Sequence, residues 1–132
     1  MAIRIAILVL GSVIFSASGH AQKCKGMEIK YENNIQYPTA ARASHLEGEV
    51  VLHLQIATDG TIPKIDIVSG PPLLAESAKR FVQSWSITWP KDSPVACDPT
   101  LHVSYKLRSD KFNEKMNLPT HITVEAPPIT AR

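Results

Sequence analysis

Residues 49–56, Glu-Val-Val-Leu-His-Leu-Gln-Ile, are the most restrictive stretch of this chain, because an Asp59-Gly60 pair follows them almost at once. Side chains alternate faces along a strand, so Val50, Leu52, Leu54 and Ile56 share one side and Glu49, His53 and Gln55 the other. Asp-Gly accepts the positive φ that a tight hairpin requires, so residues 58–61 predict a turn and 62–69 a returning strand. On that strand Ile65 and Ile67 face inward, Lys64 and Asp66 outward. Pro63 has no N–H for a ladder, which places this strand at a sheet edge.

Ser69-Gly70-Pro71-Pro72 ends the strand and starts a helix. Leu73, Leu74, Ala78, Phe81, Val82 and Trp85 recur at helical spacing, with Glu76, Lys79, Arg80 and Gln83 opposite. A third strand over residues 101–108 sets Leu101, Val103, Tyr105 and Leu107 inward and His102, Ser104 and Lys106 outward. Upstream, Tyr37-Pro38 opens a short helix over residues 39–44, since proline is favoured in a first helical turn. The expected fold is therefore α+β, a three-stranded antiparallel sheet with two helices packed on one face. With the first strand central, residues 101–108 become an open edge. Residues 22–36 read as an extended lead-in. Residues 109–132, with Pro119, Pro127 and Pro128, read as a loose tail in which 122–124 could pair briefly with an edge.

Residues 1–21 have the pattern of an export signal: Arg4, an apolar run over 5–17, and the small-x-small site Gly19-His20-Ala21. As a helix that run rises about 20 Å, against roughly 30 Å of bilayer hydrocarbon. Cleavage after Ala21 would give a soluble periplasmic or secreted chain. The alternative is an uncleaved anchor in the inner membrane. Without Arg4, 13 Lys and Arg face 12 Asp and Glu, a balance that offers no electrostatic case for nucleic acid or an anionic membrane. The exported part holds two cysteines, Cys24 and Cys97, which in an oxidising compartment read as one disulfide.

No Gly-x-Ser-x-Gly elbow, His-Glu-x-x-His, phosphate-binding loop or dinucleotide fingerprint occurs, and no enzyme or cofactor is indicated. His53 and His102 both face outward but lack a third ligand nearby in sequence, so they read as surface histidines rather than a metal site.

Tyr37-Pro38, Ala41-Arg42, Glu47-Gly48-Glu49-Val50, Asp59-Gly60, Val68-Ser69-Gly70-Pro71-Pro72-Leu73-Leu74 and Trp85 together resemble the TonB C-terminal domain family, over about residues 36–108. The resemblance implies a non-enzymatic module linked to TonB-dependent transport. It would grip an extended segment of an outer-membrane receptor by strand addition. The gripping strand would then be the last one: Leu101, His102, Val103, Ser104, Tyr105, Lys106 and Leu107, with Arg42 beside the bound peptide. A homodimer formed through the same edge is the rival use of that strand.

Overall fold

The computed structural model describes residues 24–108 and 111–130. Seven strands and two helices follow in the order β1 (Glu28–Tyr31), α1 (Thr39–Ala43), β2 (Gly48–Gln55), β3 (Lys64–Ser69), α2 (Pro72–Gln83), β4 (Trp85–Thr88), β5 (Thr100–Leu107), β6 (Asn113–Asn117) and β7 (His121–Ala126). The export-signal reading falls on residues outside those described. No helix among the described residues is long and apolar enough to cross a membrane.

The described residues form an α+β fold with two helices, but the sheet is larger than the alternation of residues 49–108 predicts. It has five strands in the order β3-β2-β5-β7-β6, and a separate two-stranded ribbon joins β1 to β4. It is also mixed: β2 pairs antiparallel with β3 and β5, β7 pairs parallel with β5, and β6 closes antiparallel on β7.

The expected hairpin forms. Ala57 N–H donates to the Thr61 carbonyl and Gly60 N–H to the Ala57 carbonyl. Gly60 takes φ +84°, and a Cβ there would come within 2.2 Å of the Ile87 carbonyl oxygen, so the turn requires glycine. The Asp59 carboxylate takes both the N–H and the hydroxyl of Thr61, which holds its pKa below the usual value. β3 lies at an edge, as Pro63 requires. Its register slips opposite Val51 and Leu52, which pair with Ser69 and Ile67 and leave Val68 as a bulge, 62% exposed. Such a bulge twists an edge strand away from further pairing.

Pro71 and Pro72 launch α2, with Pro72 at its first turn, where its missing N–H has no intrahelical partner to lose. The stripe Leu74, Ala75, Ala78, Phe81 and Val82 is buried against the sheet. The helix stops at Gln83. Trp85 belongs to β4 rather than to the helix, packing edge-on against Phe81 at 5.9 Å. Inside the expected lead-in, β1 pairs with β4 and brings Tyr31 edge-on to Phe81 at 5.0 Å.

Rows of inward side chains run across the sheet under the helices. Val50, Val103 and Ile122 stand in line, as do Gly48, Tyr105 and Val124, and all but the glycine are buried. Cys24 and Cys97 form a disulfide across 73 positions, with Cα atoms 5.5 Å apart. Cys97 also bridges to Ile56 at the end of β2, so the disulfide ties the start of the described chain to the central sheet.

Candidate functional site

The residues expected to receive a partner strand lie on β5. Leu101, Val103 and Tyr105 are buried, Leu107 is half-buried, and His102, Ser104 and Lys106 point to the face away from the helices. Inward and outward directions match the alternation. The expected open edge is corrected. β2 pairs with one side of β5, from Gly48↔Tyr105 to His53↔Thr100, and β7 with the other, from His102↔His121 to Leu107↔Ala126. Both sides of the β5 backbone are thus hydrogen-bonded within the chain. Among the described residues, the outer strands of the sheet are β3 and β6.

The element that covers β5 is the segment read as a loose tail, and this too is corrected. Residues His121–Ala126 alternate Ile122, Val124 and Ala126, all buried, with His121, Thr123 and Glu125 facing outward. That six-residue alternation was present in the sequence. Three prolines masked it, yet none falls within a strand: Pro119 lies in the turn between β6 and β7, and Pro127 and Pro128 follow β7.

Arg42 sits at the far end of this arrangement. Its Nε donates to the Pro127 carbonyl at 2.9 Å, and its guanidinium lies 4.7 Å from the centre of the Phe112 ring. Its own carbonyl accepts from Ile129 N–H at 3.3 Å. A single side chain on α1 therefore touches the approach to β6 and the exit from β7. The sequence marked Arg42 as a partner contact; Phe112 and Pro127 carried no signal that would pair them with it.

Polar groups on the neighbouring strands complete the surroundings. Glu49 lies 2.8 Å from Nδ1 of His102, and the His102 and His121 rings stack at 5.3 Å, tilted by 14°. Imidazole lone pairs lie in the ring plane, so two stacked rings do not converge on one ion. Among the described residues no group of three or more His, Cys, Asp or Glu could hold a metal. Glu47 accepts from Leu107 N–H at 2.6 Å, holding the end of β5.

Beneath β5, Tyr37 meets Tyr105 edge-on at 5.2 Å and donates its hydroxyl to the Leu46 carbonyl. Burial, with the nearby Glu47 charge, pushes the Tyr37 phenol up to about 12. Burial also raises the Tyr105 phenol, an effect that the adjacent Ser77 hydroxyl partly offsets. Ser77 donates its own hydrogen to the Gln36 carbonyl, and the Tyr105 hydroxyl is left without a well-formed hydrogen bond. A groove of about 460 Å³ lies between the residues leading to α1 and α2, lined in part by Asn33, Gln36, Glu76 and Arg80.

Comparison with known proteins gives a consistent picture. The family described as Gram-negative bacterial TonB protein C-terminal matches residues 33–107. The solution NMR structure of the Pseudomonas aeruginosa TonB CTD aligns with a TM-score of 0.58 at 21% identity, covering 70% of this chain and 99% of that one. That likeness speaks to the fold. Among curated proteins there is no match.

Proposed function

The chain belongs to the Gram-negative bacterial TonB C-terminal family, and on that premise we propose that it is a periplasmic protein-binding module of TonB-dependent transport. In this reading it takes an extended segment of an outer-membrane receptor by strand addition on the flank of β5 that β7 covers, with Arg42 receiving a backbone carbonyl of the guest. The chain reaches its compartment through removal of the N-terminal signal.

One observation carries the reading. An extended segment of the chain itself already lies along that flank, and Arg42 already donates to that segment's backbone. The surface is thus built to hold a strand, and backbone groups supply the affinity in this mode of recognition. Recognition depends mainly on extended conformation and on alternate side chains.

The test is isothermal titration of the full mature chain with peptides from the N-terminal segments of outer-membrane receptors. Saturable binding that is lost when a central peptide residue becomes proline is the expected result. Equal binding of the proline-substituted peptides would contradict strand addition, because proline removes a ladder hydrogen bond.

A further inference from the structure

We infer that the hairpin β6–β7 is a built-in stand-in for the partner, and that a partner entering in its place runs parallel to β5 with apolar side chains at alternate positions. This rests on the strand-addition reading above and specifies which segments that site accepts.

The family match ends at residue 107, the last residue of β5. The family unit therefore closes on β5, and β6 and β7 come after it. Among the described residues, β7 is the strand of the hairpin that pairs with the rest of the sheet, and β6 pairs with β7 alone. The bonds that flank this ladder lie at both ends, His102 N–H donating to the Thr120 carbonyl at one and Arg108 N–H to the Ala126 carbonyl at the other, where Arg42 also holds Phe112 and Pro127. A peripheral unit joined through one parallel ladder and one clamp can open without dismantling β2, β5 and α2.

What the hairpin buries dictates what can replace it. Ile122, Val124 and Ala126 are 1%, 2% and 0% exposed, and their partners on β5 are Val103, Tyr105 and Leu107. Departure of β7 would open these inward rows to water, so an occupant must restore apolar cover at every second position. Outward positions face His102, Ser104 and Lys106 and ask only for polarity. The Arg42 contact at the exit of β7 is to a carbonyl, which any peptide supplies. Selection thus rests on the alternate apolar residues and on the parallel direction. The hairpin itself is imperfect: Glu114 of β6 pairs with Val124 in an inward row, where burial raises its pKa.

The chain's own β7 provides a probe that does not depend on knowing the receptor. A fluorescent peptide with the sequence of residues 119–130 is titrated into the full mature chain and into its Val124→Pro variant, which breaks the β7 ladder. The variant is expected to bind the peptide at least tenfold more tightly than the parent, and a Tyr105→Asp change added to it to abolish binding. A variant that unfolds cooperatively on heating yet binds no better than the parent overturns the inference. Hydrogen exchange on the unaltered chain serves if the variant does not fold. β6 and β7 amides are expected to exchange at least tenfold faster than those of β2, and equal protection of all three overturns the inference. If receptor peptides fail while the β7 peptide binds, the receptor reading falls and the hairpin inference stands.

Discussion

Arg42 and Pro127 lie 85 positions apart in the sequence, and the Arg42 Nε donates to the Pro127 carbonyl at 2.9 Å. The bond fastens the end of the C-terminal hairpin to α1, and the Phe112 ring under the same guanidinium adds a second hold. A charge-assisted hydrogen bond and a part-exposed cation–π contact together suggest that Arg42→Ala lowers stability by about 1–2 kcal/mol. Arg42→Lys keeps the charge but loses the Nε donor, and should fall between the two. Urea denaturation at unchanged m-value measures both. An alanine variant equal to the parent would show that the clamp contributes nothing.

Tyr105 separates packing from hydrogen bonding. Its ring fills the space between Tyr37 and the sheet, while its hydroxyl is buried without a well-formed bond. Tyr105→Phe is therefore expected to change stability by less than about 1 kcal/mol, because little hydrogen-bond energy is lost. Tyr105→Ala leaves a cavity and should destabilise by about 3–5 kcal/mol. A phenylalanine variant as damaged as the alanine one would mean that the hydroxyl has a partner after all.

The disulfide makes a prediction about the unfolded chain. Cys24 and Cys97 close a loop across 73 positions, and on the chain-entropy account such a link stabilises by about 4 kcal/mol. Replacing both cysteines with serine should lower the denaturation midpoint accordingly. Circular dichroism at low temperature should stay unchanged, since Ile56 and Cys97 still share backbone hydrogen bonds.

Glu114 gives a pH dependence whose sign follows from its burial. Its pKa is raised in the fold, so the folded chain holds that proton more tightly than the unfolded chain does. The resulting contribution is complete below the ordinary carboxylate range and is lost as pH rises through the raised value. Glu114→Gln removes the dependence. The variant should exceed the parent in Tm at about pH 7 and lose that advantage near pH 4. An advantage that grows on acidification would contradict the sign.

Much of this architecture was legible in the sequence. Val50, Leu52 and Leu54 alternate cleanly, Gly60 forces the turn, and Pro63 marks β3 as an edge. The inward set of β5 was equally readable. Two features were not. Trp85 continues the helical spacing of Phe81 and Val82, and the structure ends the helix at Gln83, where the chain turns into β4 to pair with β1. A long-range pairing of that kind leaves no local trace. The second is β7, whose Ile122, Val124 and Ala126 were visible but were outweighed by three prolines that sit just outside the strands. Misplacing that one strand turned a central β5 into an apparent edge.

Nuclear Overhauser contacts between β5 and β7 in the oxidised chain test the central claim most directly. Cross-strand contacts are expected that pair residues 102–107 with 121–126 in parallel register, His102 beside His121 and Tyr105 beside Val124. Random-coil shifts over residues 113–126, or β5 amides that exchange freely on the side away from β2, would contradict it.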